Sequence, residues 1–360
     1  MDGIDVAMIK TDGENHVEFG PSLAIEYPAS VRSKIESSLI EAENIHTREE
    51  RSGILSEVEH LITDLHGQAC KTFFKDNRID KSTVRAVGFH GQTVLHRPEQ
   101  GVTVQLGDGQ ALADIIGVDV VYDMRANDMT VGGQGAPLVP IYHQALAGKV
   151  DAGLPVVFVN IGGISNITYV GQDAKLLAFD TGPGNALIDQ WVQSKAGIPF
   201  DQGGVIASEG NVLAPIVESY MQSDFFERSG PKSLDRNDFK PLHANKAELS
   251  DGARSLARVT AQAIIRATDL VPKKPKQWII SGGGRLNGTI MADLIQLANE
   301  HDASVVTSDS LQLNGDMMEA EAFAYLAIRS LRKLPLTFPT TTGCKKPMTG
   351  GVLAQPKTSL

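Results

Sequence analysis

Residues 156–170 read VVFVNIGGISNITYV, and the reading of this stretch decides the fold. An apolar run stops at Gly162-Gly163, and a second apolar run follows the turn, so the pattern is strand, glycine turn, strand. The chain opens with MDGIDVAMIKTDG, which matches only the end of that turn and the second strand. Ile4, Val6 and Met8 alternate up to the turn signal Asp12-Gly13. The opening therefore looks like a copy of the same motif, cut inside its turn.

Working outward, strand LPVVFVN leads through the hairpin to strand KLLAFD, a Gly-Pro-Gly turn and helix NALIDQWVQSK. Helices and strands then alternate through QWIISGGG to a long helix around residues 318–331, which describes an α/β domain with a buried sheet. The first half has strands at the opening, at HVEFGPSLAIEYP, VRAVGFHG, VTVQLGDG and VDVVYDMR. Its helices are expected at ASVRSKIESSLI, over residues 44–76 and at QALADIIG. The pattern restarts near Gly132, which gives two lobes, 1–131 and 132–360. A weak repeat in which each half carries a glycine hairpin facing a central cleft suggests a duplicated ATPase architecture. Glycines in such turns let backbone N–H groups approach phosphate oxygens.

Composition narrows the function. The 360 residues are 42% hydrophobic and 21% charged, enough for two cores with a cleft. A formal net charge of -10 without clustered Lys and Arg argues against a nucleic-acid or anionic-membrane surface. No apolar run reaches the roughly 18 residues of a membrane span, and no basic stretch followed by an apolar one marks a signal peptide. Cys70 and Cys344 have no metal or redox spacing, which suits structural thiols in a reducing, cytoplasmic setting.

Several side chains are candidates for chemistry. Asp180 ends an apolar strand before Gly182-Pro183-Gly184, at the strand edge where α/β proteins bind ligands; it is either a base or the cap of the turn. Gly162 and Gly163, with Ser165 and Asn166 behind them, form either a phosphate-holding turn or a plain hairpin. Gly282, Gly283 and Gly284 follow a buried strand and remove side chains where a flat ring or a phosphate could pack. His90 and Gln92 flank Gly91 at a strand end. Asp123, Arg125 and Asp128 could clamp a sugar or a carboxylate, or bridge the lobes. Glu319 and Glu321 lie on one helix, and spacing does not say which of them faces a cleft.

Together FHGQT, GGQGAPLVP, NIGGISN, FDTGPGN, SGGG and MEAEAFAYLA resemble the anhydro-N-acetylmuramic acid kinases of cell-wall recycling, in order, from Met1 to about Leu353. The resemblance implies two related actin-like (ribonuclease-H-like) ATPase domains flanking a nucleotide and sugar cleft. It also implies ATP and Mg²⁺ as cofactors, an anhydro amino sugar as substrate and a homodimer. In such enzymes water opens the 1,6-anhydro ring while the 6-oxygen takes the γ-phosphoryl group, giving N-acetylmuramic acid 6-phosphate. The carry-over makes Asp180 the catalytic base. It gives the phosphates to Asp2, Gly3, Gly162, Gly163, Ser165 and Asn166, the adenosine to Gly282, Gly283 and Gly284, and the sugar to Gln92, Arg125 and Glu319. No residue is assigned as a metal ligand.

One departure stands out. The family's first phosphate loop reads roughly Gly-Thr-Ser-x-Asp-Gly after a strand, and here only Met1-Asp2-Gly3 is present. A start site placed at an internal Met would explain this, with an upstream frame supplying the strand and Gly-Thr-Ser; a genuinely shortened, inactive homologue is the other reading. Two other functions compete with the leading one: phosphorylation of a different sugar without ring opening, and nucleotide or sugar binding without catalysis.

Overall fold

The computed structural model describes residues 3–228, 232–234 and 238–357; Asp2 lies outside them. In chain order the strands are β1 (Gly3–Thr11), β2 (Val17–Glu26), β3 (Val87–Gly88), β4 (Gln92–Arg97), β5 (Val102–Leu106), β6 (Val120–Tyr122), β7 (Val156–Ile161), β8 (Ile164–Val170), β9 (Leu176–Pro183), β10 (Gln277–Ser281), β11 (Ser304–Thr307) and β12 (Val352–Ala354). The helices are α1 (Ala29–Ala42), α2 (Ile54–Asp76), α3 (Gly109–Ile116), α4 (Ala126–Met129), α5 (Pro140–Lys149), α6 (Ala186–Ala196), α7 (Val205–Ser208), α8 (Ala214–Met221), α9 (Leu249–Arg266), α10 (Gly288–Asn299), α11 (Met318–Leu331) and α12 (Pro339–Thr342).

The chain forms two compact units: Met1–Lys149 with Met317–Leu360, and Val150–Asp316. The expected break at 131/132 falls inside the first unit, because α5 packs on β2 and α11 and stays with them. The chain beyond Met317 also returns to that unit.

In the unit Val150–Asp316, the sheet order is β11-β10-β7-β8-β9. Strands β7, β8 and β9 form an antiparallel meander, and β10 and β11 run parallel to β7. This is a mixed sheet with a buried centre, as the α/β reading of this half requires. Strand β7 lies at its centre, with Val156, Val157, Phe158, Val159 and Ile161 fully buried, as its unbroken apolar run requires. Helix α9 packs on β9, α6 and α10, and Trp191 and Trp278 fill the core.

The other unit is built from smaller sheets. Strands β1 and β2 form an antiparallel pair, β3 and β6 a parallel one, and β12 adds antiparallel to β6. Strands β4 and β5 make a separate hairpin. Helix α2 turns Leu55, Val58, Ile62, Ala69 and Phe73 inward, a helical spacing. It starts at Ile54, ten residues later than expected from Asn44. Gly53 at φ +53° stops a helix from running through, and the Glu50 carboxylate takes the N–H groups of His46 and Thr47 into a loop.

Candidate active site

In the unit Val150–Asp316, Asp180 lies on β9 opposite Asn166 of β8. Its own N–H donates to the carbonyl of Lys232 at 2.9 Å. The N–H of Leu234 donates to Asp180 Oδ2 at 2.8 Å. The segment 232–234 therefore holds the aspartate at both backbone and side chain. Lys232 fixes that segment: its buried ammonium donates to the Phe225 carbonyl at 3.1 Å and stands 4.4 Å from the Phe225 ring centre. Burial pushes the Asp180 carboxyl up to about 6, against the opposing pull of the Leu234 N–H. A carboxylate with a pKa near 6 is a much stronger base than an ordinary aspartate and is still ionised at neutral pH. Sequence reasoning found Asp180 and missed Lys232 and Leu234, which lie more than fifty residues away with no motif of their own.

The two glycine stretches meet at the start of α6. The N–H groups of Gly184, Asn185 and Ala186 donate to the carbonyls of Gly163, Gly162 and Gly163. A Cβ on Gly184 would stand 2.3 Å from the Gly162 carbonyl oxygen, so only glycine permits this approach. Gly282, at φ +74°, lies against Asn160 and Ile161 at the end of β7. Gly283 is exposed, and a Cβ there would meet only Asn185 Nδ2, at 3.9 Å. Gly163 is exposed and Gly162 and Asn166 are half-buried. The tripeptide Gly282-Gly283-Gly284 is held by Arg285, whose guanidinium bonds Asp309, Asp316 and the Gly282 carbonyl. Sequence reasoning missed this anchor.

Ser165 departs from expectation. It is fully buried, and its hydroxyl shares a 2.7 Å hydrogen bond with Thr181. That commitment ties β8 to β9 and leaves the hydroxyl no phosphate to meet.

In the other unit, His90, Gln92, Arg125 and Glu319 come together. Arg125 Nη2 donates to His90 Nε2 at 3.0 Å and Nη1 donates to the Gly135 carbonyl at 3.0 Å. Among the described residues its Nε is buried and has no hydrogen-bond partner, a polar atom at high cost unless a ligand satisfies it. Burial, then the neighbouring Arg125 charge, pushes His90 down to about 3. The ring is therefore neutral, accepting at Nε2. Burial also lowers Arg125, with Glu319 pulling the other way. His90, Gln92 and Glu319 line one groove.

The helix α11 separates its two glutamates. Glu319 is exposed, whereas Glu321 is buried under Tyr142, whose hydroxyl donates to it at 2.8 Å. The expected clamp of Asp123, Arg125 and Asp128 does not form. Asp123 pairs with Arg48, and buried Asp128 takes hydrogen bonds from Gly135 N, Thr337 and Thr342, pinning the glycine-rich bend. Only Arg125 remains for a ligand.

Among the described residues there is no group of three His, Cys, Asp or Glu side chains that could hold a metal ion. Among the described residues no helix is long and apolar enough to cross a membrane. Cys70 and Cys344 are both free and buried.

A family profile described as anhydro-N-acetylmuramic acid kinase matches residues 1–356. The chain is 50% identical over 357 residues to the anhydro-N-acetylmuramic acid kinase of Agrobacterium fabrum, covering 99% of this chain and 96% of that protein. It is 51% identical to the protein of the same name from Rhizobium etli, with the same coverage. A solved activator of 2-hydroxyisocaproyl-CoA dehydratase from Clostridium difficile, with bound ADPNP, aligns at TM-score 0.41 and 9% identity over 91% of this chain and 96% of that one, a likeness too loose to bear on the argument.

Proposed function

The chain belongs to the anhydro-N-acetylmuramic acid kinase family, and on that premise we propose how its residues carry out the reaction. The substrate is 1,6-anhydro-N-acetylmuramic acid, and the products are N-acetylmuramic acid 6-phosphate and ADP. Asp180 takes a proton from water as the water oxygen bonds to the anomeric carbon. The bond from that carbon to the bridging 6-oxygen breaks, and the 6-oxygen takes the γ-phosphoryl group of ATP. The two events assist each other, because a 6-alkoxide is a poor leaving group and phosphoryl transfer removes its charge. Mg²⁺, carried by ATP, would neutralise charge on the phosphates.

The protein's own share is positioning. The backbone of Gly162 and Gly163 and the side chain of Asn166 hold the phosphates, and the exposed Gly283 leaves room for the flat base. Arg125, with its unsatisfied Nε, and Gln92 and Glu319 orient the sugar, while neutral His90 keeps Arg125 in place. We place the reaction in the cytoplasm, where both thiols stay reduced.

The observation that carries this reading is Asp180, held by Leu234 and raised to about 6 by burial. The deciding experiment incubates the protein with MgATP and the anhydro sugar and weighs the product. A gain of water plus phosphoryl supports ring opening; a gain of phosphoryl alone, or no product, refutes it.

A further inference from the structure

The unit Val150–Asp316 holds a cavity of about 270 Å³ that the reaction proposed above does not use. Strand β9 walls it with Phe179 and Thr181, while Asp180 between them lies outside its lining. Further walls come from Phe226, from Ala263 on α9, and from Ala267 and Leu270 just beyond that helix. The surface is therefore mostly apolar, and the Thr181 hydroxyl is already committed to the Ser165 carbonyl at 3.1 Å.

One charge in this wall is buried. Lys232 is 8% exposed, and a lysine ammonium carries three donors. Among the described residues, its hydrogen-bond partner is the Phe225 carbonyl at 3.1 Å. The Phe225 and Phe226 ring centres stand 4.4 and 5.9 Å from Nζ. Among the described residues no carboxylate forms an ion pair with it: Glu227 pairs with Arg266, and Asp238 with Arg228. Burial, and then the like charges of Arg266 and Arg228, hold the ammonium below the usual lysine range, with Glu227 pulling the other way. The acids of the lining, Glu227 and Asp269, are exposed, so the buried charge of the cavity is positive. A buried cation without a counter-charge is costly, and the cavity is the space in which one can sit.

We infer that this cavity binds a small monocarboxylate with a short apolar body. The carboxylate takes charge-assisted hydrogen bonds from Lys232, and the body lies against Phe179, Phe226 and Leu270. A phosphate finds no partner on those apolar walls, and a neutral apolar molecule leaves the lysine without its counter-charge. A nucleotide is too large, since sites for drug-sized ligands run from about 300 to 1,000 Å³. The occupant also bears on Asp180. The carbonyl of Lys232 accepts the Asp180 N–H, and the Leu234 N–H donates to the Asp180 carboxylate, so a ligand that fixes Lys232 fixes the segment 232–234.

The test titrates isovalerate into the intact protein by calorimetry and reads amide hydrogen exchange at Leu234 on the same samples. Isovalerate should bind and slow that exchange. Isoamyl alcohol, which has the same body without the charge, and inorganic phosphate, which has charge without the body, should each bind at least about tenfold more weakly. Lys232→Met should weaken isovalerate by a similar factor. Because that change also touches the segment 232–234, Ala267→Leu serves as a second variant; it fills the cavity, leaves Lys232 in place and should abolish binding. Saturating the protein with the anhydro sugar should leave isovalerate binding unchanged, which separates this cavity from the sugar site. The proposal is overturned if isovalerate does not bind, if the alcohol or phosphate binds as tightly, if Ala267→Leu binds like the parent, or if the sugar displaces isovalerate.

Discussion

Asp180 is costly to keep ionised where it sits, and that cost gives the residue its two measurable signatures. Activity should rise with pH through about 6 and level off above it, because the base works only when ionised. Asp180→Asn keeps the shape and the bond from Leu234 but removes the base, so turnover should fall roughly 10²–10⁴-fold while ATP still binds; an equilibrium titration of ATP with each protein checks this. The same substitution should raise the melting temperature at about pH 8. A carboxyl whose folded pKa lies above its unfolded value stabilises the fold fully below the unfolded value and loses that contribution as pH rises through the folded one. The gain from asparagine should therefore vanish near pH 4. At Gly283, where an added Cβ meets only Asn185 Nδ2 at 3.9 Å, Gly283→Val should spare the fold and the sugar affinity and weaken ATP binding. Calorimetric titration of each ligand separates these outcomes.

At the scale of the element, the loop 282–284 depends on Arg285. Its two carboxylate partners, Asp309 and Asp316, are 51% and 67% exposed, so truncating the arginine lets both return to water. Arg285→Ala should therefore cost only about 1.5–3 kcal/mol, as for hydrogen bonds to charged groups, rather than the larger penalty of a stranded buried charge. ATP affinity should fall with it, as measured by urea unfolding and nucleotide titration on the same sample. Such elements also show what the sequence could tell. The hairpin over 156–170 and α6 were legible because each has a local pattern, whereas β9 was expected to end at Asp180 before a Gly-Pro-Gly turn and instead runs on to Pro183, because Gly182 and Pro183 pair with Ser165 and Ile164 of β8. Strand β4 was not legible, since Gln92, His96 and Arg97 are polar and a bulge between Thr93 and Leu95 breaks the alternation. Ser165 and Asp128 looked like ligand contacts because they are polar beside glycines. What removes them is tertiary: Thr181 for one, Thr337 and Thr342 for the other. Arg285 and the segment 232–234 act across distances in the chain that no local pattern records.

For the whole molecule, buried carboxyls and buried histidines act in opposite senses: burial holds His90 and His143 down at about 3, so they cost stability as the pH falls below about 6.5. Burial raises Glu321 to about 7 in one unit and Asp180 and Asp189 to about 6 in the other. Their contribution is complete below about pH 4 and is lost as the pH climbs through 6 and 7. Asp12, Glu50 and Asp80 have lowered values and work in the opposite sense, their contribution complete above about pH 4 and lost as the pH falls below it. Glu321→Gln isolates the carboxyl's share: it should raise the melting temperature relative to the parent more near pH 8 than near pH 5.5, and scanning calorimetry of both proteins at the two pH values decides it. The unit Val150–Asp316 is continuous in the chain, with its own five-stranded sheet and core. Expressed alone it should melt cooperatively, whereas residues 1–149 alone should not.

The return of the chain after Met317 to its first unit fixes an order of events during synthesis. Strand β1 packs against α11, and β6 pairs with β12, so these strands wait for partners made much later in the chain. At about 5–20 residues per second, that wait lasts on the order of tens of seconds, during which the later-made unit can already have closed its sheet. The nascent first unit spends this interval with apolar strands uncovered, and it is then that the protein most needs a chaperone.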